Sequence, residues 1–204
     1  MSEQPGLRTD LALIASWIPE GAKVLDLGCG DGALLAHLAA THGARGYGLE
    51  IDPDNIVACV ARGVDALQLD LDHGLAQFSD DSFDFVIMSS ALQEVQRPDW
   101  LIDEMLRIGR QSIVTFPNFG HWRPRVSLGL QGLMPMSRSL PNPWYSTPNI
   151  HLCTVRDFEA LCREKQVRIT RRHVVNNAHR TSIGTMLMPN LLGEIALYQI
   201  RRDD

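Results

Sequence analysis

The 204-residue sequence predicts an α/β fold, a doubly wound and mostly parallel sheet with helices on both faces. Three observations carry it. Apolar strand-like runs alternate with segments of helical periodicity. The run Lys23 to Leu27 passes directly into a glycine turn and then an Ala/Leu-rich helix. The segment Phe83 to Met88, FDFVIM, is apolar throughout, as befits a strand covered on both faces at the centre of a sheet.

In chain order, Leu11 to Ile18 has helical spacing behind Thr9 and Asp10, which can cap it, and Pro19 and Gly21 stop it. Lys23 to Leu27 is the first strand and Ala33 to Ala40 the helix after it. Ala44 to Ile51 and Asp65 to Leu69 are the next strands, with a helix over Asp54 to Ala61 between them. Pro98 starts a helix carrying Trp100, Leu101, Met105 and Ile108, which leads into a fifth strand, Ser112 to Phe116. After Pro117 the rhythm changes. Residues 119–150 are rich in Pro, Trp, Arg and Ser, with one helix near Val126 to Leu133, and read as an insertion or lid after the fifth strand. Thr154 to Lys165 is a helix with a near capping box from Thr154 and Asp157. Val167 to Val175 and Glu194 to Ile200 form an antiparallel last hairpin across an Asn176 to Pro189 loop. At this length one domain over residues 1–204 with one core is expected.

Composition narrows the classes of function. Four scattered cysteines, Cys29, Cys59, Cys153 and Cys162, form no CxxC pair and suggest neither a disulfide framework nor a zinc ribbon. Seven histidines show no HExxH spacing, so no metal is expected. A formal charge of -5 without a basic stripe argues against nucleic acid. No apolar run approaches the ~18 residues of a membrane span, and the amino terminus lacks a signal-peptide pattern, so a cytoplasmic protein is expected.

The glycine turn, Val24 to Gly32, reads VLDLGCGDG. Glycines 28, 30 and 32 permit a sharp turn where side chains would meet a bound ligand, at the sheet edge where α/β folds bind ligands. Glu50 follows about twenty residues on, at the end of the next strand, where an acid can hold both ribose hydroxyls. Charge then separates two ligand classes. A pyrophosphate at the helix start would be repelled by Asp31, at a cost of order 1 to 4 kcal/mol. S-adenosylmethionine presents an ammonium and a sulfonium, which Asp26 and its neighbours favour. Asp70 after the third strand can accept from an adenine amine with Leu71 against the ring, or Asp70 and Asp72 simply cap a turn. Ile51 beside Glu50 and Ser89 after FDFVIM complete the expected cofactor set.

VLDLGCGDG, YGLEID and LQLDLD resemble the glycine turn, ribose acid and adenine acid of class I S-adenosylmethionine-dependent methyltransferases over about Leu7 to Asn118. FPNFGHWRPR and WYSTPNIHLCTVRDFE extend the likeness, so that nearly the whole chain resembles the MetW family of methionine-biosynthesis proteins; it departs from that family's pattern at Ser146, where an acid is more frequent. The resemblance implies a Rossmann-like methyltransferase fold, S-adenosylmethionine or S-adenosylhomocysteine as cofactor, and a homoserine O-acyltransferase as partner. A methyltransferase reaction of its own is not an established part of that picture.

Catalytic machinery is less apparent. Where an NPPY-type signature would stand, the chain has Ser89, Ser90, Ala91 and Leu92, followed by Gln93 and Glu94. No GxSxG elbow is present, so acyl transfer would belong to a partner chain. The insertion offers His121, Trp122, Arg123 and Arg125, then Trp144, Tyr145, Asn149 and His151. Aromatics can hold a sulfonium and arginine can clamp a carboxylate, which makes His121, Tyr145 and His151 the candidate catalytic residues for a small polar or acidic acceptor. The same residues equally suit packing of the insertion or a partner-docking surface.

Overall fold

A computed structural model describes residues 7–137, 139–176 and 183–203. Helix α1 (Thr9–Ala15) precedes strand β1 (Lys23–Leu27), helix α2 (Ala33–His42), strand β2 (Arg45–Glu50), helix α3 (Pro53–Ala61) and strand β3 (Ala66–Gln68). Strand β4 (Phe83–Ser89), helix α4 (Pro98–Ile108), strand β5 (Gly109–Pro117) and helix α5 (Trp122–Val126) follow. Helix α6 (Val155–Glu164), strand β6 (Val167–Val175), helices α7 (Ile183–Leu187) and α8 (Pro189–Leu192), and strand β7 (Ile195–Arg202) complete the chain. Among the described residues the sheet has seven strands in the order β3-β2-β1-β4-β5-β7-β6. The apolar FDFVIM strand stands in its middle, as its composition predicts. β1 pairs in parallel with β2 and β4, β2 with β3, and β6 with β7 antiparallel, so the doubly wound sheet with an antiparallel last pair is what the chain forms.

The chain gathers into two compact units: the described residues up to Ser89 with Asp103–Ile113, and Ser90–Ile102 with the described residues from Val114 onward. In the first unit, Val24, Leu25 and Leu27 of β1 are fully buried with Leu38, Leu49, Val86 and Met105. Tyr47, Phe78 and Phe83 add an aromatic cluster with ring centroids 5.7 to 6.0 Å apart. Asp52 caps α3 by accepting from the Asp54 N–H at 2.9 Å, with Pro53 at the first helical position. Helix α1 corrects the sequence reading. It starts at Thr9, so the N-cap is Arg8, without a side-chain cap bond, and Thr9 and Asp10 lie inside the first turn; Asp10 is buried there, accepts from Arg8 at 2.7 Å, and as a first-turn acid favours the positive helix end.

In the second unit Phe116, Phe158 and Tyr198 pack with centroids 4.7 to 6.0 Å apart, and the Tyr198 hydroxyl donates to Glu159 at 2.9 Å. Thr154 caps α6 as expected, accepting from the Asp157 N–H at 3.2 Å. The insertion helix begins four residues earlier than its apolar pattern indicates. His121 Nδ1 accepts from the Arg123 N–H at 3.4 Å, and Pro124 is tolerated in the first turn, where its missing N–H has no helical partner. The helix continues through a wide π-type turn, Ser127–Gln131, and closes at Gly132. The expected Asn176 to Pro189 loop contains α7, with α8 beginning at Pro189; residues 177–182 lie outside the described residues.

Candidate functional site

The carboxyl end of β1 delivers the chain into the glycine turn. The N–H groups of Gly28 and Cys29 both donate to the Leu49 carbonyl of β2, at 2.8 and 3.1 Å, which folds the turn back over the sheet edge. Gly30 and Gly32 have φ of 54° and 74°, left-handed values that side chains rarely adopt. Their surroundings differ. A Cβ on Gly30 would meet nothing within 4 Å, so this face of the turn is open. A Cβ on Gly32 would come within 2.9 Å of Cys59 Sγ and 3.3 Å of Val64, so packing against α3 and the residues after it, rather than a ligand, presses on that position.

Glu50 is buried, and its carboxylate organises the loops on both sides of it. Oε2 accepts from the Gly30 N–H at 2.8 Å; Oε1 accepts from Ile51 and Asp52 at 2.8 and 3.0 Å. Asp26, one strand away, is 2% exposed, and its Oδ1 has no hydrogen-bond partner among the described residues. Burial, and then the nearby Glu50 charge, push its carboxyl up to about 7. Asp26 lines a cavity of ≈ 130 Å³ with Arg8, Gly28, Gly30, Asp31 and Ser89. Sites for whole drug-sized ligands run from ~300 Å³, so this space suits one end of such a molecule. Asp31 is paired with Arg62, which offsets its repulsion of a phosphate and leaves Asp26 and Glu50 as the acids that set the charge of the turn.

The remaining cofactor candidates take separate positions. Ile51 is 58% exposed at the end of β2, where its apolar side chain is free to cover a ring. Asp70 accepts from the Asp72 N–H at 3.0 Å and lies 3.4 Å from His73, capping a short 3-10 turn over Leu71–His73 that the sequence reading lacked. The turn-capping alternative for Asp70 is thus realised, and Leu71 opens that turn, partly exposed.

The catalytic candidates all fall in the second unit, each with its own partners. Tyr145 is 75% exposed, edge-on to Trp144 with centroids 5.8 Å apart. His151 is exposed and its Nε2 lies 3.2 Å from the Gln96 carbonyl. His121 is buried with Nε2 4.0 Å from Glu194, whose carboxylate also lies 3.5 Å from Arg123. Burial, and then the Arg123 charge, lower the His121 pKa, so this imidazole is neutral at neutral pH. Asn118 builds the platform beneath it: its amide donates to the carbonyls of Asn190 and Gly193, and its oxygen accepts from Gly120 and Val155. Gln93 is buried, its side chain donating to the Ser90 carbonyl at 2.9 Å and its own carbonyl accepting from Ile150 and His151.

Arg8, Arg62 and Glu194 escaped the sequence reading. Arg8 lies outside any motif, Arg62 is paired across thirty-one residues, and Glu194 looks like an ordinary strand-start acid; a lone acid beside an apolar run was the one available signal. Among the described residues no group of three or more His, Cys, Asp and Glu is placed to hold a metal, and no helix is long and apolar enough to cross a membrane.

Comparison with known proteins gives a family and a fold. The family model described as "Methionine biosynthesis protein MetW" matches residues 8–200. The chain is 34% identical over 207 residues to the bifunctional methionine biosynthesis protein MetXA/MetW of Rhodopirellula baltica, an alignment that takes in 97% of this chain. It spans 33%, about a third, of that relative's length. Among solved structures, an S-adenosylmethionine-dependent methyltransferase from Mesorhizobium loti superposes with TM-score 0.69 at 20% identity, covering 96% of this chain and 98% of that one. A chain from the complex between the Haloferax volcanii Trm112 methyltransferase activator and the putative methyltransferase superposes with TM-score 0.68 at 18% identity, covering 95% and 89%. These two likenesses establish the fold, which is that of the methyltransferases.

Proposed function

The chain belongs to the MetW family of methionine-biosynthesis proteins, and from that premise we propose that it binds S-adenosylmethionine or S-adenosylhomocysteine and serves, in the cytoplasm, as partner or activating subunit of a homoserine O-acyltransferase. In this reading residues 1–204 work as one methyltransferase-like domain with 119–150 as its insertion. The observation that carries the partnership is the relative in which MetXA and MetW are one polypeptide. Fusion holds two modules at an effective concentration that reaches roughly millimolar, which favours proteins that act together.

The glycine-turn residues fit the cofactor. The buried, unpartnered Asp26 Oδ1 suits an ammonium, and the open face at Gly30 leaves room for its approach. Glu50 accepts three N–H groups, and with about four lone-pair sites its carboxylate keeps capacity on Oε2 for the ribose. Ile51 and Leu71 would flank the base, with Asp70 at its edge and Ser89, Gly28 and Gly32 shaping the floor. S-adenosylmethionine, when bound, supplies an electrophilic methyl group. Nothing in the second unit compels its use, and a fold of this class does not by itself dictate chemistry.

The test is co-purification. Tagged protein and a MetXA-type homoserine O-acyltransferase are mixed and captured, with and without S-adenosylmethionine. A stoichiometric complex is expected; its absence under both conditions refutes the partnership.

A second reading, methyl transfer to a small polar or acidic molecule, is favoured by the buried His121 beside Glu194 and Arg123. Arg123, half-exposed, can hold a carboxylate, and His121, its Nδ1 taken by the α5 cap, presents Nε2 to Glu194. Labelled cofactor incubated with small-molecule extract should then yield a methylated product that disappears with His121→Ala. Tight cofactor binding without turnover would count against it.

A further inference from the structure

The second unit exposes an apolar surface that its own fold leaves uncovered. On α5 and the π-type turn after it, Trp122, Val126, Leu128 and Leu130 are exposed, Leu130 at 83%, and Leu133 follows, exposed, just past the closing Gly132. Farther along the same insertion Trp144 and Tyr145 are 71% and 75% exposed. By contrast Pro124 and Leu140 are buried, so the segment is anchored and its apolar stripe is turned outward.

Size and charge say what kind of partner this is. From Trp122 to Tyr145 nine large apolar side chains are exposed among the described residues, showing on the order of 1,000 Å² together. A standard interface buries about 800 Å² per partner, so the apolar area exposed along this segment is of interface size. From Trp122 to Leu152 the sequence holds no acid, and its bases are Arg123, Arg125, Arg138 and His151. Depletion of charge at the centre with Trp, Tyr and Met enriched is the composition of a protein interface. A helix that lies on anionic lipid carries a row of Lys and Arg opposite its apolar face; here α5 carries Arg123 and Arg125, of which Arg123 lies beside Glu194 and Arg125 donates to the Gly120 carbonyl.

We propose that the stripe Trp122, Val126, Leu130 and Leu133, with Trp144 and Tyr145, is the docking surface for the homoserine O-acyltransferase chain. The inference rests on the partnership proposed above. The fused relative supplies the occupant: two thirds of its length lies outside the part that matches this chain and is joined to it in one polypeptide.

The experiment repeats the capture assay with three full-length proteins: wild type, the double variant Leu130→Glu with Leu133→Glu, and a control, Val57→Glu with Val60→Glu, on the exposed face of α3. All three are first checked for unchanged thermal melting and cofactor-induced thermal shift. Because Leu130 and Leu133 are already exposed, the variants are expected to fold. Wild type and control should retain the acyltransferase and the stripe variant should lose at least tenfold. Trp144→Ala with Tyr145→Ala should weaken capture in the same direction. If wild type captures and both stripe variants capture equally well, the docking surface is refuted while the partnership stands. If wild type captures nothing, the partnership itself fails, and this surface with it. A homodimer of the isolated chain, or binding to phosphatidylglycerol vesicles, that the stripe variant abolishes would assign the surface to another occupant and overturn the proposal.

Discussion

Asp26 carries the sharpest consequence at the scale of a single side chain. Unfolded, an aspartate ionises near 3.9; folded, burial and Glu50 hold this one near 7. Between those values the folded chain keeps a proton that the unfolded chain releases, so stability contributed by this group falls as pH rises from about 4 to about 7 and is level above. Asp26→Asn is therefore expected to melt higher than wild type at pH 8, by an amount equivalent to about 2 to 4 kcal/mol, and to converge with it near pH 4. Thermal melts across pH check this, and a wild-type excess at pH 8 would contradict it. The same variant should lose cofactor affinity, and wild-type affinity should tighten as pH rises through 7, since a cation is held by the ionised form. Glu50 instead holds the loops beside it together. Glu50→Gln keeps shape but gives up the charge that three N–H groups point at, and denaturant melts should show a loss of about 1 to 3 kcal/mol. The position of both acids was legible from the glycine turn and the strand after it. Their division of labour was not, because hydrogen-bond capacity is spent on backbone groups that a sequence motif does not display.

Elements show the same division. β1, α4 and β6 match their sequence bounds, since Pro98, the glycine turn and the apolar runs mark ends that the backbone must respect. The start of α5 was missed because its first turn is built from His121, Trp122, Arg123 and Pro124, which read as loop; the helix there is set by a side-chain cap and not by apolar periodicity. Asp70 was left between two readings, and the turn over Leu71–His73 realises the local one, as short acids commonly do when the next N–H lies within reach. At the start of α2, Gly32→Ala and Gly30→Ala separate backbone strain from packing. Both force a side chain into left-handed backbone, costing ~1 to 2 kcal/mol, and Gly32→Ala also drives a methyl onto Cys59 and Val64. Urea melts should rank Gly32→Ala as the more damaging, while Gly30→Ala, facing open space, should cost mainly cofactor binding. Equal losses of stability would contradict the packing role. Thr154→Ala should cost about 1 kcal/mol by removing the α6 cap.

For the whole molecule, the alternation of strand and helix was enough for a doubly wound, mostly parallel sheet with FDFVIM at its centre, though not for the strand order, and the resemblance was enough for the family. What a sequence alone does not expose is which apolar residues stay outside. Trp144 and Tyr145 suited a lid, packing of the insertion or a docking surface, and Leu130 lay in an expected helix; their exposure in the folded second unit marks them as surface. The same holds for His121, Tyr145 and His151, grouped by composition and given different partners by the fold. The direct measurement is the initial rate of acyl transfer to homoserine by a MetXA-type acyltransferase, alone, with this chain, and with this chain plus saturating S-adenosylmethionine or S-adenosylhomocysteine. The expected result is a rate that changes severalfold when the chain is added and reverts with Leu130→Glu and Leu133→Glu. An unchanged rate in every arm, at concentrations where the cofactor is bound, would contradict the assignment.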